Sequence, residues 1–224
     1  MSFQVLNTSG YARRGELTTK TCTVQTPVFM PVGTYGTVKG LTPEHLHDIG
    51  FEIILGNAFH LHQRPGLETI KKFNGLHDFM GWNKSILTDS GGFQIWSLND
   101  LRKITEEGVE FKSPLDGSKI FVSPEDSIDT QLTLNSDIIM AFDECTDYPS
   151  SYEDAEQSMH LTHRWTERSL NYFQKHQKGH LLFGIVQGGM HEELRKQSLA
   201  FMNNLQLDGI ALGGLSVGEP KEEK

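Results

Sequence analysis

A chain of 224 residues with 37% hydrophobic and 22% charged side chains is long enough to bury a sizeable core and too apolar to be disordered. Its net charge of −9 argues against a general nucleic-acid-coating surface, while leaving room for a local RNA-binding patch. Only Cys22 and Cys145 occur, without a C-x-x-C pair, which excludes a disulfide framework and a cysteine zinc site; no apolar stretch is long enough to span a membrane, and Met1-Ser2-Phe3-Gln4 does not begin a signal peptide, so a cytoplasmic location is expected.

Residues 3 to 29 read as β structure with turns, punctuated at Ser9-Gly10 and Arg14-Gly15. From there strands and helices alternate. A first strand over Val28 to Val32 precedes a helix with Thr42 as N-cap and Pro43 in its first turn, ending at Gly50. Glu52 to Leu55 is the second strand, Leu67 to Phe73 is helical, and Ile86-Leu87 is the third strand. An insertion from Asn99 to Asn135 holds a hairpin turning at Asp116-Gly117 between Phe111 and Phe121, then a helix from Ser123-Pro124-Glu125. The fourth strand is Asp137 to Phe142. A long helix runs from Ser150 to about His176, opened by Pro149 and the capping-box pattern Ser150-Ser151-Tyr152-Glu153. Leu181 to Val186 is the fifth strand, His191 to Leu205 a helix, and Gly209 to Leu212 the sixth strand.

Short apolar strands joined by crossover-length connections predict a parallel sheet with helices outside, an α/β protein. A doubly wound open sheet and a (β/α)₈ TIM barrel both fit. Polar or glycine-rich clusters follow strand after strand: Gly33-Thr34, Asn57 with His60, Asp89 to Gln94, Asp143-Glu144, Gln187-Gly188-Gly189 and Gly213-Gly214. Barrel enzymes build sites from many strand ends, whereas an open sheet concentrates its site at one switch point, so the barrel is favoured. About six of eight βα units are present, which predicts a single truncated barrel domain over residues 1–224 with its C-terminal strands absent.

The segment Ser85 to Leu98, S-I-L-T-D-S-G-G-F-Q-I-W-S-L, is the richest in chemistry. A strand delivers Asp89, then the bare backbone of Gly91 and Gly92, then the Phe93 ring and the Gln94 amide. Read alone, it is either an Asp-Gly turn at a strand end or a cradle for a planar polar ligand.

Nine segments in order resemble the tRNA-guanine transglycosylases (queuine tRNA-ribosyltransferases). They are M-P-V-G-T at Met30 to Thr34, I-L-G-N-A-F-H-L at Ile54 to Leu61, R-P-G at Arg64 to Gly66, G-L-H-D-F-M-G-W at Gly75 to Trp82 and L-T-D-S-G-G-F-Q at Leu87 to Gln94. Then come E-E-G-V-E-F-K-S at Glu106 to Ser113, S-D-I-I-M-A-F-D-E-C at Ser136 to Cys145, F-G-I-V-Q-G-G at Phe183 to Gly189 and A-L-G-G-L-S-V-G-E at Ala211 to Glu219. The resemblance implies a (β/α)₈ barrel with a late zinc-binding insertion. It also implies exchange of the wobble-position guanine of a tRNA for a 7-deazaguanine in queuosine biosynthesis, through a covalent enzyme–RNA intermediate, as a cytoplasmic homodimer.

That chemistry asks for a grip on the base edge, a stacking face, a nucleophile and an acid/base. By resemblance Asp143 grips the base: a carboxylate accepts from a ring N–H and an exocyclic amine together, which excludes adenine. Gln187 and the backbone N–H of Gly214 donate to the base carbonyl, and Phe93 stacks. Asp89 is the catalytic proton acceptor, with Ser90, Gly91 and Gly92 along the pocket wall and Asn57 and His60 orienting the cluster. Cys145 and Val217 match the bacterial type, which takes 7-aminomethyl-7-deazaguanine rather than the bulkier queuine. Phe93 departs from the tyrosine of some bacterial members, and Gln187-Gly188-Gly189 from their Q-G-S.

The family's nucleophilic aspartate, basic RNA-contacting segment and C-x-C-x-x-C…H zinc site are expected beyond Lys224, so no zinc ligands are expected here. If Lys224 is the true end, the polypeptide alone should bind neither zinc nor tRNA well and should not turn over. Two alternatives are a non-catalytic subunit of such an enzyme, disfavoured by the presence of Asp89, Asp143 and Gln187, and a metal-dependent barrel hydrolase using His60, His62 and Asp89.

Overall fold

The structure, a computed structural model, describes residues 3–98 and 102–223. In chain order it contains β1 (Phe3–Ser9), β2 (Ala12–Thr18), β3 (Thr23–Thr26), α1 (Pro43–Ile49), β4 (Ile53–Gly56), α2 (Ala58–Leu61), α3 (Leu67–Lys72), α4 (Leu76–Met80) and β5 (Ser85–Thr88). It continues with α5 (Gly92–Trp96), β6 (Arg102–Ile104), β7 (Val109–Lys112), β8 (Lys119–Val122), α6 (Pro124–Leu134), β9 (Ile138–Met140), α7 (Tyr152–His176), β10 (Leu181–Val186), α8 (Glu192–Asn203) and β11 (Gly209–Leu212). The fold is α/β. A parallel sheet has the order β11-β10-β9-β5-β4, and an isolated parallel bridge from Val32 to Leu55 continues it past β4. The expected strand Val28 to Val32 is thus reduced to one bridged residue. Neighbours follow the chain without reversal, whereas a doubly wound sheet reverses at a switch point. The strands of a (β/α)₈ barrel follow one another in this sequential order.

Contacts divide the chain into two compact units. The first holds the chain up to Asp89 with Thr130–Ile139 and Gln177–Leu181; the second holds Ser90–Asp129, Met140–His176 and the chain from Leu182 onward.

In the first unit, β1, β2 and β3 form the expected antiparallel sheet. Gly15 lies inside β2 rather than at a turn: a Cβ there would sit 2.7 Å from the Gln4 carbonyl oxygen, so close strand approach is what requires glycine. Helix α1 starts and stops where the residues direct. Thr42 caps it in a reciprocal bond pair with His45, and Gly50 ends it at φ 92°. The residues of β5 are buried on both faces, as a covered parallel strand requires. Leu46, Ile54, Leu61, Ile70, Leu76, Trp82, Ile86 and Leu134 form one core. At the start of the strands the fully buried Asp137 carboxylate accepts from the backbone N–H groups of Thr21 (3.0 Å) and Ile86 (2.8 Å) and pairs with His77 Nε2 (3.1 Å).

In the second unit, the inserted hairpin turns at Asp116-Gly117, with Phe111 opposite Ile120 and Glu110 opposite Phe121. Strand β6 adds a third member that the sequence pattern did not reveal; the start of the insertion at Asn99 lies outside the described residues. Glu106 fastens this sheet to α7 by a bidentate pair with Arg164 (2.7 and 2.8 Å). Helix α7 is capped by Ser151 with Asp154, one residue later than the capping box read from the sequence. Its Trp165 stacks on Phe142 with centroids 4.9 Å apart.

Candidate active site

Within the first unit, β5 carries Asp89 at its end. The Thr88 hydroxyl beneath it is engaged with Gln131 and Ser136, and the Asp89 N–H donates to the Gly56 carbonyl at 3.2 Å. The carboxylate meets the start of α2. Oδ1 accepts the Ala58 N–H at 2.9 Å and Oδ2 accepts the Asn57 side-chain amide. Asn57, expected to orient this cluster, is in direct contact with Asp89. His60 packs its ring on Tyr35 (5.1 Å) and Phe59 (5.3 Å), and burial lowers its pKa.

Within the second unit, Asp143, Ser90, Gln187 and Gly92 converge. The Ser90 hydroxyl donates to Asp143 Oδ1 at 2.8 Å and accepts the Gly92 N–H at 3.1 Å. The Ser90 carbonyl in turn accepts from Ser127 at 2.7 Å. A Cβ on Gly92 would lie 2.5 Å from the Asp143 carbonyl oxygen and 2.7 Å from Oδ1, so only glycine lets the chain pass here. Asp143 Oδ2 accepts Gln187 Nε2 at 2.8 Å. Gly91, at φ 85°, caps α5, which carries Phe93. The Phe93 ring is 46% exposed, so it is not a core phenylalanine, and its centroid lies 5.1 Å from that of Trp96.

Gln187 is wholly buried, and its Oε1 accepts no hydrogen bond from the described residues. Gly214, at φ 65°, lies against that oxygen: a Cβ there would be 2.6 Å away. The Gln187 backbone N–H donates to Ser198 Oγ at 3.1 Å, and Ser198 meets His163 Nε2 at 3.1 Å. Burial first, then the charges of His160 and Arg164, lower the His163 pKa to about 4 and keep it neutral. Its ring stacks on Phe201 at 4.0 Å and 7°. Ser198, His163 and Arg195 were not singled out from the sequence. Their only signal was polarity on the inward faces of α7 and α8.

Glu144, the other acid beside Asp143, bonds through its backbone to Thr162 (3.0 Å). Burial raises its carboxyl pKa, opposed by Ser158 and Arg102 and reinforced by Asp143. Burial, then the Asp143 charge, push the Cys145 thiol up to about 12. Val217, with Ser216, donates its backbone N–H to the buried Glu219 carboxylate (2.8 and 2.5 Å).

Among the described residues no group of three or more His, Cys, Asp or Glu side chains is placed to hold a metal ion. The hydrolase alternative therefore has no such cluster here to rest on. The described residues likewise do not fit the zinc implied by resemblance. No helix among them is long and apolar enough to cross a membrane.

The family model described as queuine tRNA-ribosyltransferase matches residues 8–224. The chain belongs to this family. Among curated relatives named queuine tRNA-ribosyltransferase, one from Dechloromonas aromatica is 60% identical over 223 residues, and one from Acinetobacter baumannii 59% identical over 224. One from Janthinobacterium is 56% identical over 228. All of this chain is covered in each case, but only 60%, 59% and 61% of those relatives, so the chain spans about three fifths of their length. The Asp143–Ser90–Gln187 cluster lies within the matched span.

Proposed function

We propose that this chain carries the base-recognition machinery of a tRNA-guanine transglycosylase, a pentosyltransferase that exchanges a guanine in tRNA for a 7-deazaguanine. The observation that carries the reading is the Asp143 carboxylate, fixed by Ser90 on one oxygen and Gln187 on the other, each at 2.8 Å. A carboxylate oxygen can accept more than one bond, and the two oxygens of a carboxylate match the ring N–H and exocyclic amine of guanine. An amide nitrogen has two protons. Gln187 Nε2 gives one to Asp143 and has the second for the neighbouring ring carbonyl. Gly214 supplies a backbone N–H to the same carbonyl, and the open Phe93 ring supplies the stacking face.

Asp89, held by Asn57 and Ala58 in the first unit, is proposed as the proton acceptor, with the family resemblance as its support. No residue of this chain is assigned the nucleophile. Cys145 and Val217 favour 7-aminomethyl-7-deazaguanine as the incoming base. A tRNA with a guanine wobble base is the proposed partner, in the cytoplasm, with a second copy of the protein completing a homodimer.

Titration calorimetry with guanine and adenine tests the reading. Guanine binds and adenine does not, because adenine turns a lone pair toward Asp143 where guanine presents an N–H. Equal binding of the two bases, or none of guanine, overturns it.

A further inference from the structure

Helix α8 connects β10 to β11, so its first turn lies beside the loops that leave both strands. Arg195, half-buried in that turn, donates from Nη1 to two backbone carbonyls, Gly189 at 3.2 Å and Gly213 at 3.1 Å. One guanidinium nitrogen thus ties the loop that carries Gln187 to the loop that carries Gly214. The Gly213 N–H is already committed to the Val186 carbonyl at 2.9 Å, which holds the other side of Gly213 to the end of β10.

The Gly213 carbonyl and the Gly214 N–H belong to one planar peptide unit, and in a trans peptide they point in opposite directions. Holding the carbonyl toward Arg195 therefore turns the N–H away from it. Glycine at 214 has φ 65°, a conformation with little steric restraint of its own, so an external clamp is needed to select one orientation. Glycine at 213 adds to that freedom. A Cβ on Gly214 would stand 3.9 Å from Arg195 Nη1 and 2.6 Å from Gln187 Oε1, which places this peptide beside both the clamp and the recognition amide.

We propose that Arg195 is a positioning residue for base recognition: by holding the Gly213 carbonyl it aims the Gly214 N–H at the ring carbonyl of the bound base. The inference rests on the base-recognition reading above and extends it to a residue that does not touch the base. Lysine is a poor substitute, because an ammonium on a flexible stem lacks the planar geometry that pre-organises the guanidinium.

The test compares guanine with 6-thioguanine, which keeps the ring N–H and the amine but replaces the carbonyl with a poor acceptor. Calorimetry on the chain and on Arg195→Met and Arg195→Lys, each checked for folding by circular dichroism, reads the affinity for both bases. Arg195→Met weakens guanine binding about tenfold, the value of one well-placed hydrogen bond, and 6-thioguanine binding by no more than about twofold. Arg195→Lys gives a smaller loss with the same preference, and it carries the test if the Met variant does not fold. Equal losses for the two bases, or no loss, overturn the positioning role while leaving the base-recognition reading intact. Failure of the unchanged chain to bind guanine overturns both.

Discussion

Gln187 Nε2 donates to Asp143 Oδ2 at 2.8 Å, so the amide and the carboxylate meet a ligand as one unit. Changing either disturbs the other. Asp143→Asn removes the charge that two donors of guanine would share and leaves an amide that can turn a donor toward Gln187. Guanine affinity should fall by roughly 10- to 100-fold, the range for hydrogen bonds to a charged group, read by calorimetry. Unchanged affinity would remove Asp143 from the recognition site.

Gly92→Ala tests the close packing of this unit. The added Cβ would lie 2.5 Å from the Asp143 carbonyl oxygen and 2.7 Å from its Oδ1, in the buried segment that follows β9. A destabilisation of about 1–3 kcal/mol, typical of overpacking, should appear as a lowered thermal midpoint together with lost guanine binding. A variant as stable as the parent would mean the loop yields.

Ser198→Ala removes the acceptor of the Gln187 N–H and the partner of His163 in one step. The buried N–H is left without that bond, at a cost of about 1–3 kcal/mol in chemical denaturation. Ser198→Thr keeps the hydroxyl and should retain part of the stability.

Acid should weaken the fold in two stages. His163 and His180 both have pKa values lowered to about 4, chiefly by burial. In the unfolded chain such groups titrate near 6.5, so between about 6.5 and 4 the unfolded state binds more protons and stability falls as pH drops. Asp137 acts lower down. Burial alone would raise its pKa, but His77, Thr21 and Ile86 hold it below the usual value. Its contribution is complete above the ordinary aspartate range and is lost as pH falls through its folded pKa. His163→Phe, which fills the stacked site without a titrating group, should flatten the upper stage of a stability–pH profile. A profile unchanged by that substitution would show that His163 does not drive it.

Much of the fold was legible because the signals are local. Thr42, Pro43 and Gly50 bracket α1 by capping chemistry that needs no distant partner. Runs such as Leu181 to Val186 are apolar because both faces of a parallel strand are covered. Reading Val28 to Val32 as a full strand overreached: apolar character marks a segment that can pair, while pairing itself depends on neighbours, and only Val32 bridges to Leu55. Gly15 suggests a turn for the same reason, since the sequence shows a glycine but not the Gln4 carbonyl pressed against it.

By itself the sequence determined the alternation of elements, the family, and the candidate residues Asp89, Ser90, Gly92, Phe93, Asp143, Gln187 and Gly214, because these sit in short strings with fixed spacing. Only the tertiary structure decided what supports them. Ser90 and Gln187 lie 53 and 44 residues from the Asp143 they clamp, and Arg195 reaches a carbonyl 18 residues away. Such contacts leave no periodicity or motif in the chain. They arise when parallel strands bring their ends together, and the helices between them turn polar side chains inward to satisfy buried backbone groups that water no longer reaches.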